Sequence, residues 1–323
     1  MAQTRIYRSG VLEKEDFPVA DVSDYLDQPD TAVWVDICGP DVEDLRLLAD
    51  ELGLHPLALE DAVKPRQRPK LDRYQDHLFV SAYAVHLDDA SGELLTSEVA
   101  VFVTRQALVT VRKDDGFDIA PVVARWDGSP DLAKYGVGFL LHGLLDTVVD
   151  GHFDAVQQLD EEIEGLEDLL FDERPRSKEV QRRSFEVRKS LVELRRVVLP
   201  MREVINAILR RDLGVVDEGM APYFQDVYDH VLRATEWTES LRDLVTTILE
   251  THLTIQGNRL NMIMKHLTSY AAIIAVPTAV TGFYGMNVPY PGFGKHWGFW
   301  MAFVIMVSLA TGLFVTFRKR DWL

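Results

Sequence analysis

Leu267–Tyr284 reads LTSYAAIIAVPTAVTGFY and Trp297–Phe317 reads WGFWMAFVIMVSLATGLFVTF; the gap between them opens with Gly285-Met286-Asn287. Neither run contains a charged residue, over 18 and 21 positions respectively. A bilayer's hydrocarbon core takes about 20 helical residues to cross. Only helices that satisfy their own backbone groups can face lipid there. The spacing therefore predicts two membrane spans joined by a tight loop of about a dozen residues. A two-span unit whose exposed loop carries a Gly-Met-Asn turn reads as a conduit with its filter at that turn.

Working outward, the charges divide the chain. The mean hydropathy, −0.04, hides this division. From position 259 onward there are six bases (Arg259, Lys265, Lys295, Arg318, Lys319, Arg320) and one acid, Asp321. Removing these from the 34 basic and 51 acidic residues leaves 28 and 50 upstream, a formal charge of −22. That excludes nucleic acid as a partner, because phosphates call for the opposite sign. It also argues against docking of the N-terminal part on anionic lipid. The partners this suggests are the lipid bilayer and a cation, although net charge of this size also serves ordinary solubility. Cys38 is the one cysteine, which leaves no disulfide framework and no thiolate metal site. The first 30 residues lack the apolar stretch of a signal peptide. Arg259 and Lys265 precede the first span, Arg318, Lys319 and Arg320 follow the second, and the loop holds only Lys295. Positive charge stays inside, so both termini are expected in the cytoplasm of a multi-pass cell-membrane protein.

The N-terminal 1–130 read as an α+β domain with a mixed, largely antiparallel sheet. Thr31–Cys38 (TAVWVDIC) is a strand rich in β-branched and aromatic residues. Val42, Leu45, Leu48 and Leu52 have helical spacing between Pro40 and Gly53. His77–His86 and Leu95–Lys113 read as further strands, with a hairpin at Arg105-Gln106. From 131 to 221 a helical hairpin is expected. Asp131–Phe171 carries the acids Asp160, Glu161, Glu162, Glu164, Glu167 and Asp168. After a break at Asp172–Ser177 containing Pro175, Lys178–Arg211 carries Arg182, Arg183, Arg188, Lys189, Arg195 and Arg196. A stalk helix spans 222–266, the first transmembrane helix 267–284, the external loop 285–296, the second transmembrane helix 297–317 and a basic tail 318–323. Tyr223–Tyr284 reads as one helix about 90 Å long at 1.5 Å per residue, or as two helices broken near Gly257.

The tripeptide before a final span, the C-terminus Arg318-Lys319-Arg320-Asp321-Trp322-Leu323, the stretches LHPLALED (54–61) and QRPK (67–70), and YFQDVYDH (223–230) together resemble the CorA family of magnesium and cobalt transporters. The resemblance covers most of the chain. It implies a homopentameric funnel that conducts Mg²⁺, with Co²⁺ and sometimes Ni²⁺ also carried, and it implies no organic cofactor. Some relatives move Zn²⁺ instead, usually with a changed middle residue in the tripeptide; Met286 places this chain on the Mg²⁺ side.

Mg²⁺ sheds water reluctantly and prefers oxygen ligands. A ring of neutral oxygens holds a hydrated ion weakly enough to release it. Gly285, Met286 and Asn287 would supply that ring, Asn287 through its side-chain carbonyl. Taken bare, the tripeptide is also an ordinary helix-capping turn. No acid occurs from Gly257 to Arg320. Asn261, Met264, Leu267, Ala271, Ala275, Thr278 and Gly282 recur at helical spacing and would line the pore, with Met264 and Leu267 as an apolar gate. Small residues at this spacing equally suit a close helix–helix contact. The family also carries a regulatory Mg²⁺ site between subunits whose Asp on the long helix matches Asp226. Asp88 and Asp89 are candidate partners from a neighbour, or simply solvated loop acids. Three rival readings compete: a Zn²⁺ transporter of the same family, a membrane-tethered coiled-coil structural or sensor protein, and an enzyme. For the last, His55, His86, His142 and His152 show no zinc-ligand spacing.

Overall fold

Strand Thr31–Cys38 is apolar almost throughout because both of its faces are covered. In a computed structural model, which describes residues 2–26, 28, 30–64, 67–88, 91–170, 177–210 and 216–323, it is β3 of a seven-stranded sheet. The others are β1 Ala2–Arg8, β2 Val11–Glu15, β4 Lys70–Arg73, β5 Leu78–Leu87, β6 Leu94–Val103 and β7 Ala107–Arg112. Their order is β2-β1-β3-β7-β6-β5-β4. Only β3 and β7 run parallel, with Val33 opposite Ala107; every other pair is antiparallel. The mixed, largely antiparallel sheet is the one the sequence suggests, with β6 and β7 turning at 104–106. Strands β1 and β2, in the polar first 30 residues, were not anticipated, nor was the short β4.

Alternate residues of β3 serve two helix layers. Val33, Val35 and Ile37 join Leu48 and Leu54 around α2 (Val42–Leu52), and Ala58 and Ala62 of α3 (Pro56–Val63). A short helix, α1 (Ser23–Leu26), borders the same layer. Asp41 starts α2 with a capping box shared with Asp44, and Gly53 ends it in the left-handed region. On the other face Trp34 packs edge-on against Trp126 of α4 (Ala120–Asp127), with ring centroids 5.0 Å apart. There Asp36, fully buried, accepts from Arg112 Nη2 at 2.6 Å, Arg112 Nε at 3.1 Å and Thr110 Oγ1 at 2.6 Å. A buried carboxylate is tolerable only when paired and hydrogen-bonded in this way.

Two long helices complete that layer: α5 (Val137–Leu170) and α6 (Ser177–Leu209). The expected helix from Asp131 begins six residues later, after a 3₁₀ turn at Ala133–Tyr135. Phe171, Arg211 and residues 172–176 of the expected break lie outside the described residues; its last residue, Ser177, already belongs to α6. Opposite charge does link the two helices, through Arg183 Nη2 to Glu162 Oε2 at 2.7 Å.

Helix α7 runs unbroken from Ala221 to Tyr284 through Gly257. The reading of two helices therefore falls. An isolated glycine costs a helix only about 1 kcal/mol. Its first part buries Phe224, Val227, Val231, Ala234, Thr238, Leu241, Val245 and Ile248. That alternation of three and four is a continuous apolar seam. The chain divides into two compact units, Met1–Ile248 and Leu249–Leu323. The second holds the rest of α7 and α8 (His296–Lys319), and both helices are long and apolar enough to cross a bilayer.

Candidate ion path and regulatory cluster

Within the second unit the tripeptide is held by its neighbours. Gly285 N–H donates to the Thr281 carbonyl at 2.8 Å and Met286 N–H to that of Phe283 at 3.3 Å. A Cβ at residue 285 would sit 2.9 Å from the Thr281 oxygen, too close for any other residue without a shift. The Tyr290 hydroxyl donates back to the Tyr284 carbonyl at 2.9 Å. The Tyr284 and Tyr290 rings meet edge-on at 4.9 Å, and Tyr290 meets Phe293 at 5.2 Å. The loop then closes on α8. Gly292, with φ near +92°, lies so near Gly298 that a Cβ on 298 would come within 2.4 Å of the Gly292 oxygen. Between these braces Asn287 is exposed, and its amide makes no hydrogen bond among the described residues. A neutral oxygen left free on a hydrogen-bonded turn is a suitable ligand for the water shell of a hydrated cation.

The side chains of α7 sort by face. Ser269 is buried and Ile273, Val276, Val280 and Tyr284 are half-buried; on α8 Gly298 is buried and Ala302, Met306, Ala310, Leu313 and Phe317 are half-buried. The Ser269 hydroxyl donates to the Trp322 carbonyl at 3.5 Å, and near the loop Val280, Tyr284, Phe299, Ala302, Phe303 and Met306 enclose part of a cavity of about 550 Å³. Asn261, Met264, Leu267, Ala271, Ala275, Thr278 and Gly282 are all exposed. At 3.6 residues per turn Met264, Leu267, Ala271, Ala275, Thr278 and Gly282 lie about 140–180° around α7 from that seam, and Asn261 about 100° from it. The stripe is thus left uncovered by its own chain, with Met264 and Leu267 at 57% and 62% exposure.

In the first unit Asp226 stands on α7 with its carboxylate mostly exposed, 4.0 Å from His230 Nε2. Asp88 caps the β5–β6 turn, accepting from Ser91 N–H at 3.0 Å and Ser91 Oγ at 2.5 Å. Asp89 lies outside the described residues. The sequence reading missed a tighter group one turn along α7. Asp146 and Asp150 of α5 and His230 of α7 bring ligand atoms within 4.8 Å of one another. Arg125 of α4 bridges both carboxylates, reaching Asp150 at 2.6 Å. Burial pushes the Asp146 carboxyl up against the pull of Arg125, with Asp150 adding to the rise. Burial likewise holds His142, which packs against Tyr223 and Phe224, below the usual imidazole range. Carboxylate oxygens suit a hard dication and the imidazole suits a borderline one such as Co²⁺. The i, i+4 spacing of Asp146 and Asp150 was the visible signal, though it says nothing about which helix they face.

Residues 29–319 match the family described as "CorA-like Mg2+ transporter protein". Over 99% of its length the chain is 31% identical to the cobalt/magnesium transport protein CorA of Thermotoga maritima, covering 92% of that protein. It is 33% identical to the putative metal ion transporter YfjQ of Bacillus subtilis, over 92% of each chain. The complete structure of the CorA magnesium transporter from Methanocaldococcus jannaschii superposes on all of this chain and 99% of that one, with a TM-score of 0.79 at 24% identity. Full-length CmaX superposes over 98% and 96%, with a TM-score of 0.73. Family and fold agree with the apolar helix pair, the Gly-Met-Asn turn and the seven-stranded domain: the chain belongs to the CorA family of divalent-cation transporters, which are membrane proteins and not enzymes.

Proposed function

We propose that five copies of this chain form a channel-like transporter of the cell membrane that admits Mg²⁺, with Co²⁺ and Ni²⁺ as further cargo, down its electrochemical gradient. Both termini are cytoplasmic and the Gly-Met-Asn loop is outside. The observation that carries this reading is the free amide of Asn287 on a braced turn, at the end of a helix with no acid from Gly257 onward. Five such oxygens, with the carbonyls of Gly285 and Met286, would engage a hydrated ion without stripping it. The uncovered stripe of α7 from Asn261 to Gly282 supports its assignment to the pore wall. Met264 and Leu267 would form an apolar constriction that closes by excluding water. Two charges crossing 100 mV gain about 4–5 kcal/mol, so no nucleotide hydrolysis is required.

Internal Mg²⁺ would act as the closing signal. Asp226 would bind it between subunits, helped by Asp88 or Asp89 of a neighbour and by the Asp146–Asp150–His230 group. Arg125 already offsets part of that group's negative charge, and a low ligand charge favours the weak affinity a cytosolic Mg²⁺ sensor needs. Proteoliposome uptake tests the filter. Asn287→Ala should abolish or badly distort divalent uptake while insertion is retained; wild-type uptake in that variant would overturn the reading. A competition series of Mg²⁺, Co²⁺, Ni²⁺ and Zn²⁺ fixes the cargo.

A further inference from the structure

The C-terminal tail is built, not merely basic. Asp321 adopts φ near +54°, a left-handed conformation that a non-glycine residue rarely takes. This turns the chain back so that Trp322 N–H donates to the Phe317 carbonyl at 2.9 Å, and Arg320 N–H to the same oxygen at 3.2 Å. The Trp322 ring stacks on Phe317, 5.6 Å apart and within 5° of parallel. Its carbonyl meets the Ser269 hydroxyl, which also donates to the Lys265 carbonyl one turn earlier at 2.8 Å. The knob therefore ties the segment carrying Arg318, Lys319 and Arg320, through the Ser269 hydroxyl, to the turn of α7 that carries Lys265, at one end of the apolar helix pair. All four side chains are exposed, and none pairs with a carboxylate among the described residues. The dipole of α8 accounts for cations in its own last turn. It gives no reason for Lys265, which lies in the middle of α7.

We propose that Lys265, Arg318, Lys319 and Arg320 form a binding site for the phosphate headgroup of an anionic phospholipid in the cytoplasmic leaflet. The inference rests on the membrane orientation given above but not on the identity of the ion carried. Charge complementarity selects the occupant: four cations without a carboxylate partner among the described residues stand where an apolar helix pair leaves the bilayer, in a stretch from Gly257 to Arg320 that holds no acid, with only Asp321 beyond it. An interfacial tryptophan braces the site at the same depth.

The test uses the full chain purified with mixed phosphatidylglycerol and phosphatidylcholine, with retained lipids counted by native mass spectrometry. Phosphatidylglycerol should be retained in preference. Each of Arg318→Gln, Lys319→Gln and Arg320→Gln should lower that retention roughly five-fold. Trp322→Ala, which keeps every cation but frees the knob, should lower it too, whereas Lys295→Gln in the opposite loop should leave it unchanged. Equal retention of the two lipids, or retention indifferent to the tail substitutions, overturns the proposal. So does displacement of the lipid by millimolar glycerol phosphate, which would make this a site for soluble anions. Because retention is read without any flux, failure here is distinguishable from failure of the transport reading.

Discussion

The hydroxyl of Tyr290 reaches across the Gly-Met-Asn turn to the main-chain carbonyl of Tyr284 at 2.9 Å, tying the far side of the loop to the last residue of α7. Tyr290→Phe removes this bond and little else, since the ring can keep its edge-on contact with Tyr284. A lost hydrogen bond of about 1 kcal/mol shifts the occupancy of the ordered turn roughly five-fold. Divalent uptake in proteoliposomes is expected to fall by a similar factor with the protein still inserted. Unchanged uptake would detach Tyr290 from the filter.

Asp36→Asn leaves the Arg112 guanidinium buried beside a neutral amide. Its other bond, from Nη1 to the Phe117 carbonyl at 2.7 Å, cannot neutralise it. Breaking one side of a buried ion pair costs about 3–5 kcal/mol. Chemical denaturation of the full chain, followed by circular dichroism, should show a loss of that order. A change below about 1 kcal/mol would mean that water reaches Arg112.

His152 is completely buried, with Nε2 2.7 Å from the Tyr83 carbonyl and Nδ1 without a partner among the described residues. The carbonyl can only accept, so Nε2 carries the proton of a neutral ring. Burial lowers its pKa from 6.5 to about 4. The unfolded chain then binds a proton that the native chain refuses. This contribution to stability is present above pH 6.5 and is lost as pH falls towards 4, amounting to about 3 kcal/mol. His152→Gln, whose amide can still donate to Tyr83, should flatten the pH dependence of the unfolding midpoint over that window. An identical slope would rule His152 out.

Asp226→Lys replaces a carboxylate with a cation on the exposed face of α7. Inhibition of uptake by internal Mg²⁺ should then weaken, and Asp146→Asn should weaken it less, because Arg125 already offsets that charge. Flux assays at stepped internal Mg²⁺ measure both. Wild-type inhibition in the Asp226 variant would remove that residue from the closing mechanism.

The legible parts of this chain were those whose pattern is local. Thr31–Cys38 announced itself because a strand covered on both faces is written in continuous apolar residues. The two spans and the tripeptide between them were equally plain. Val11–Glu15 was invisible, since an edge strand exposed along its whole length has no core to write into its sequence. Gly257 suggested a break that neighbouring helical turns simply override. Of the Asp146–Asp150–His230 group only the i, i+4 carboxylate pair was legible; the packing of α5 against α7 adds His230 from 80 or more positions away. Asp88 looked like a free ligand, yet it organises its own turn.

At Gly292 and Gly298 two backbones touch where side chains would ordinarily keep them apart. Most packed pairs can drift over generations by trading bulk, one partner shrinking as the other grows. Here both partners are already at the minimum, so neither can compensate for the other, and an enlargement on either side must lever the outer loop away from its helix. A library randomised at both positions together should return glycine at each, with no reciprocal solutions.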